Sequence, residues 1–179
     1  MKKSALFCLI ALTCLLFIVS PCAASADEDI NYTIDVMLAQ AEDFFTFLNK
    51  GRYDAAWSLL SERSHKTIID DVNKTYQKMG GEIQLAAIEQ DFEKGGIIFN
   101  NYWKAFMQSV DVLMVLDESR WQAGAMEQSK AEIIITYKNS KNPLKLQMVK
   151  EDGLWKVGLV ETFWQTRSMD ILQAILKFI

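Results

Sequence analysis

Leu144-Lys145-Leu146-Gln147-Met148-Val149-Lys150-Glu151-Asp152-Gly153-Leu154-Trp155-Lys156-Val157 is the stretch on which the fold turns. Leu144, Leu146 and Met148 alternate with polar partners, and Trp155, Val157 and Leu159 do the same after Glu151-Asp152-Gly153. A period of two places alternate side chains on opposite faces of a strand, and an Asp-Gly pair between two such runs closes a hairpin. Working backward, Ala131, Ile133, Ile135 and Tyr137 form another alternating run, separated from Leu144 by the turn Asn139-Ser140-Lys141-Asn142-Pro143. Trp121, Ala123 and Ala125 form a fourth. Continued past Leu159, the alternation puts Glu161 and Phe163 on the apolar face.

Ahead of residue 115 or so the rhythm is helical. Phe99, Tyr102, Trp103, Phe106, Met107 and Val110 recur every three or four residues and make one broad aromatic face. Ile34, Leu38, Ala41, Phe45 and Leu48 do likewise between Ile30 and Lys50, where Gly51 follows as a stop. Tyr53, Ala56, Trp57 and Leu60 predict a short helix. Ile68, Ile69, Val72, Tyr76 and Met79 predict a third from Ser64 to Met79, ended by Gly80-Gly81. Leu85, Ile88 and Phe92 give a weaker segment before Gly95-Gly96, and Met169, Leu172, Ile175, Leu176 and Ile179 an apolar helix from Ser168 to the end. Helices followed by strands joined through short turns predict an α+β domain. N-terminal helices then pack on a curved antiparallel sheet of about four strands, with a C-terminal helix after it.

The first residues read as an address. Met1-Lys2-Lys3 is basic, Ala5 to Val19 is apolar apart from Thr13, and Ala24-Ser25-Ala26 is a small-residue cleavage site. These are the three parts of a secretory signal peptide, removed after Ala26 to leave a single domain over 27–179 that is periplasmic or secreted. The apolar run stops short of the ~20 residues that a spanning helix needs. Lipid attachment at Cys22 is disfavoured by Pro21, which stands where a small residue is required. Cys8, Cys14 and Cys22 all fall inside the leader, so the remaining chain has no cysteine and no disulfide. The formal net charge is −4 and becomes more negative once Lys2 and Lys3 leave. With no basic stripe, nucleic acid is a poor partner.

Three stretches in order resemble the nuclear transport factor two-like (ketosteroid-isomerase-like, cystatin-like) superfamily in its secreted bacterial branch. They are Phe44 to Ser61, with its Gly51-Arg52-Tyr53 break and Leu59-Leu60-Ser61 ending; Ala131 to Tyr137; and Lys150 to Val157, with Glu151-Asp152-Gly153-Leu154-Trp155-Lys156-Val157. The chain departs from the pattern by extra helical residues between Thr67 and Phe99 and by a tail after Trp164. The resemblance implies a cone of sheet and helices whose mouth hosts substrates in some members and binds without catalysis in others; fold does not choose between them.

Residues with chemical potential are few. Glu161, set on an apolar face, would have its carboxyl pKa raised by desolvation and could act as acid or base with Tyr102 or Tyr137 as hydrogen-bond donor. Equally, a strand ending near Val160 would leave it wet. Tyr53, Trp57, Tyr102, Trp103, Trp121, Trp155 and Trp164 line either an apolar ligand cavity or plain core. Ligand binding is assigned to Tyr53, Trp57, Tyr102, Trp103, Trp121 and Glu161. His65 is the sole histidine, read as a surface residue opening the third helix. One histidine without cysteine makes no standard zinc site, no calcium loop is present, and neither Gly-Gly pair has a phosphate-loop context. No metal or cofactor is therefore implied.

The expectation is a non-catalytic exported binding or accessory domain for an apolar small molecule or envelope protein. An isomerase- or hydrolase-type enzyme using Glu161, or a purely structural subunit, are the alternatives. Met169 to Ile179 leaves membrane contact or a homodimer open. If the leader is cleaved as read, intact-mass analysis of the envelope protein gives a chain beginning at Asp27; a chain beginning at Met1 refutes it.

Overall fold

In a computed structural model of the protein, residues 24–138 and 142–163 are described. The expected terminal helix Ser168–Ile179 and the middle of the turn after Tyr137 lie outside them. The elements run α1 (Ala24–Asn49), α2 (Tyr53–Ser58), α3 (Glu62–Lys78), α4 (Leu85–Glu93), α5 (Ile97–Ser109) and α6 (Val112–Asp117). Then come β1 (Ser119–Met126), β2 (Lys130–Tyr137), β3 (Leu144–Glu151), β4 (Leu154–Gly158) and α7 (Leu159–Phe163). This is the expected α+β order. The chain divides between Thr33 and Ile34, within α1, and the sheet with its covering helices belongs to the unit that begins at Ile34. Among the described residues no helix is long and apolar enough to cross a membrane.

The strands form an antiparallel meander in the order β1-β2-β3-β4. Asp152 and Gly153 both take positive φ, 50° and 82°, between the paired residues Glu151 and Leu154. That is the backbone of a two-residue turn whose twist matches the strands it joins, and Gly153 meets it without the cost a side chain would carry. Alternation sends Ala131, Ile133, Ile135, Leu146, Met148, Trp155 and Val157 into the core. On the other face Gln147 and Lys145 both reach Glu132, at 3.2 and 3.6 Å.

Against the inner face lie the helices with the apolar stripes. Met37, Ala41, Phe44 and Leu48 of α1 are buried, and Phe45 meets Trp121 of β1 edge-on at 5.6 Å. From α5, Phe99, Tyr102, Trp103 and Phe106 are buried as the period predicts. The connection between α4 and α5 is made by Asp91. Its Oδ1 accepts the backbone N–H of Phe99 at 2.8 Å, satisfying a free donor of the first turn of α5. Gly95 turns the chain at φ +62°, and any side chain at Gly96 would overlap the Asp91 carboxylate. Asn100 Nδ2 closes the loop by donating to the carbonyls of Gly95 and Gly96 at 2.7 and 2.8 Å. The second Gly-Gly pair is thus space for a carboxylate.

Four features depart from the sequence reading. Val112–Asp117 forms α6, too short for a periodic signal and fixed by Asp111, whose carboxylate accepts the N–H of Met114 at 2.9 Å. The register of β1 shifts between Ala123 and Met126, so Ala125 is exposed where alternation puts it inward. Helix α1 starts at Ala24, ahead of the expected Ile30. Strand β4 ends at Gly158, in line with the alternative of a stop near Val160, so Glu161 is helical rather than on the sheet's apolar face, and it is half-buried rather than wet.

Two substitutions probe the α4–α5 connection. Asp91→Ala loses a cap worth about 1 kcal/mol. Gly96→Ala overpacks the site by about 1–3 kcal/mol. In the double variant the overlap is gone, so urea unfolding gives a loss smaller than the sum; a strictly additive result means the two groups do not meet.

Candidate functional site

Leu59-Leu60-Ser61 runs beside β4, with Leu60 bridging Val157 in parallel sense. Val157 N donates to Leu59 O at 2.8 Å, and Ser61 N donates to Val157 O at 3.0 Å. This fixes Ser61 as the cap of α3, its Oγ accepting the N–H of Ser64 at 3.1 Å. Glu161 approaches from α7. Its carboxylate accepts the Ser61 hydroxyl with both oxygens at 3.1 Å and the Ser64 hydroxyl at 3.0 Å. Ser64 Oγ also accepts the backbone N–H of Val160 at 3.1 Å.

Both serines are completely buried (0% exposed), whereas Glu161 is half-buried. Ser61 Oγ also lies 2.8 Å from Ser64 Oγ, so its one proton is shared between that oxygen and the carboxylate, while each serine accepts a backbone N–H. Gly158 makes room for this network, because a Cβ there would lie 3.0 Å from Glu161 Oε2 and from Gln147 O. A second carboxylate, Glu151, accepts the N–H of Glu62 with both oxygens at 3.1 Å. The N-terminus of α3, where the helix dipole is positive, thus carries two glutamates from distant parts of the chain.

His65 lies one residue beyond. Its ring sits 4.1 Å from that of Trp57, and Nε2 is 2.7 Å from Trp57 O. A carbonyl only accepts, so Nε2 carries the proton. Burial holds the imidazole below its ordinary value of 6.5, with the bond to Trp57 opposing that shift. The residue expected at the surface is therefore a half-buried clamp between α2 and α3.

Of the aromatic residues assigned to ligand binding, Tyr53, Trp57, Tyr102 and Trp103 come together. Trp103 stacks on Tyr53 at 6.1 Å and meets Trp57, Tyr102 and Phe106 edge-on at 6.3, 5.3 and 5.5 Å. Edge-to-face pairs at these separations each add about 0.5–1.5 kcal/mol beyond burial. Trp103 is 0% and Tyr102 3% exposed, so this cluster is interior. The Tyr102 hydroxyl and the Trp103 Nε1 are buried without a hydrogen-bond partner. Burial, with Asp71 adding, drives the Tyr102 phenol far above its usual range. The hydroxyls facing Glu161 belong to Ser61 and Ser64 rather than to Tyr102 or Tyr137.

Trp121 lies at the margin of the aromatic cluster, joined to Trp103 only through Phe45 and Phe44. Its Nε1 donates to Val115 O at 3.1 Å, which fixes the indole between α6 and α1. With Leu38 and Glu42 of α1 and Leu116 of α6 it lines a cleft of about 230 Å³. A broader depression of about 500 Å³ lies along the α5–α6 connection, lined by Asn49 and by 107–113. Among the described residues no group of three His, Cys, Asp or Glu could hold a metal ion.

No protein-family model, curated protein or solved structure matches this chain. Its chemistry must be read from its own residues. Sequence reasoning missed Ser61 and Ser64, although a Ser-x-x-Ser start ahead of a helical period is a capping signal. It also missed Leu38, Glu42 and Leu116 as lining groups, for which no local signal exists.

Removing the Glu161 side chain by Glu161→Ala takes the acceptor from the buried Ser64 hydroxyl and leaves the Ser61 hydroxyl only Ser64 Oγ, 2.8 Å away, at a cost of about 1–3 kcal/mol. Glu161→Gln keeps an acceptor oxygen and loses less, as equilibrium unfolding will record; equal losses refute the network. Folding lowers the proton affinity of His65, so the unfolded chain takes the proton first. Stability from this residue is complete above pH 6.5 and declines as pH falls below it. Thermal melting from pH 7.5 downward is therefore steeper for the native protein than for His65→Gln.

Proposed function

We propose that the protein is an exported, non-catalytic binding module of nuclear transport factor two-like type, and that its ligand site is the cleft beside Trp121. The carrying observation is a half-buried tryptophan, held by its own N–H, in an accessible cleft with Leu38, Leu116 and Glu42. An indole whose polar atom is satisfied internally offers carbon surface at little conformational cost, which favours binding of apolar groups. Pockets for drug-sized molecules run to ~300–1,000 Å³, so about 230 Å³ suits a smaller molecule. Export is supported by the leader of Lys2, Lys3, the apolar run and Ala24-Ser25-Ala26.

The enzyme alternative needs Glu161 within reach of a reacting proton. Its oxygens instead receive the hydroxyls of Ser61 and Ser64, bonds that tie α7 to α3. The four interlocked aromatics serve the core in the same way, which moves the expected binding surface from Tyr53, Trp57, Tyr102 and Trp103 to Trp121.

Native mass spectrometry of the protein taken from its own cell envelope tests this reading. A small molecule retained by the wild type and lost from Trp121→Ala, with unfolding still cooperative, is the expected result. A retained molecule indifferent to Trp121, or turnover of a substrate abolished by Glu161→Gln, overturns it.

A further inference from the structure

Among the described residues the cleft at Trp121 has one charged lining group, Glu42, and that group narrows the chemistry of the ligand. Resting on the binding reading above, we infer that the cleft takes a small organic cation with an apolar body. Leu38, Leu116 and the indole supply three apolar walls, while Glu42 supplies a carboxylate. Glu42 is exposed and, among the described residues, has no ion-pair partner. A tryptophan ring attracts a cation more strongly than any other aromatic side chain, and a carboxylate beside it adds to the same preference.

The Trp121–Val115 bond matters here too. It directs the indole N–H, the ring's only hydrogen-bond donor, to a backbone carbonyl, so the ring presents no donor to an incoming anion. Three further carboxylates lie near in the chain, with Lys138 among them, its backbone N–H donating to Glu118 O at 3.3 Å. Asp35 lies seven residues before Glu42 on the same side of α1, and Asp117 and Glu118 follow Leu116 in the chain. Arg120, the nearest cation in sequence, alternates away from Trp121 onto the opposite face of β1.

A charge series of one shape tests the inference: 2-phenylethylamine, 2-phenylethanol and phenylacetate, titrated calorimetrically into the mature chain at pH 7. The amine binds about three- to tenfold more tightly than the alcohol, and phenylacetate more weakly than either. Glu42→Gln brings the amine down to the level of the alcohol and leaves the alcohol unchanged. Trp121→Leu weakens both. Equal binding of amine and alcohol by the native protein, or an amine indifferent to Glu42→Gln, overturns the cation preference while leaving an apolar site in place. If none of the three compounds binds in a Trp121-dependent way, the inference and the site assignment fall together.

Discussion

Glu151 and Glu161 have to meet the N-terminus of α3 from 89 and 100 positions further along the chain, and the bonds made there hold the described architecture together. A helix start leaves backbone N–H groups without intrahelical partners, and burying that end without replacements would cost several hydrogen bonds. Here Ser61 Oγ serves one and the Glu151 carboxylate another, while Glu161 draws in both serine hydroxyls. The same residues leave β4 with a neighbour on its outer side through the Leu60–Val157 bridge. A helix, a sheet edge and the last described helix are thereby joined at one point, among described residues that include no cysteine.

That constraint explains features which look unrelated. Gly158 stands where β4 ends and the chain bends to bring Glu161 over Ser61 and Ser64, and a Cβ there would crowd Gln147 O and the Glu161 carboxylate at 3.0 Å. Gln147 pairs with Gly158, the last residue of β4, and at that end a side chain enters the ladder. Thr162 Oγ1 accepts the Gln147 N–H at 2.9 Å and itself donates to Gly158 O at 2.7 Å. His65 presses on Trp57 just behind the cap, so the aromatic cluster and the polar network share a boundary. The residues of this junction and of the Trp103 cluster bind one another, whereas Trp121 reaches that cluster only through Phe45 and Phe44 and lines a cleft on its other side.

Glu161 illustrates how a sound local rule can mislead. Alternation through Trp155, Val157 and Leu159 is real, and Trp155, Val157 and Leu159 are indeed buried. Nothing in the next residues announces that β4 stops at Gly158, since Val160 and Phe163 suit a strand as well as a helix. The helix forms because its side chains find partners on α3, which is a long-range fact. Ala125 has the same history: the bulge before Met126 is set by pairing with β2, not by the composition of β1. Short α6 escaped because six residues hold too little of a 3.6-residue period.

By itself the sequence determined the class and order of the elements. Periodicity records which face of each segment is apolar, and Asp152-Gly153 and the helix-ending glycines record where the backbone must turn. The tertiary structure alone decided what those faces and polar residues do. Whether an aromatic side chain is core, as Trp103 is, or the wall of an accessible cleft, as Trp121 is, depends on which segments cover it. The pairing of Glu161 with Ser61 and Ser64 likewise depends on a meeting of residues about a hundred positions apart, and hydrophobic rhythm carries no information over that distance.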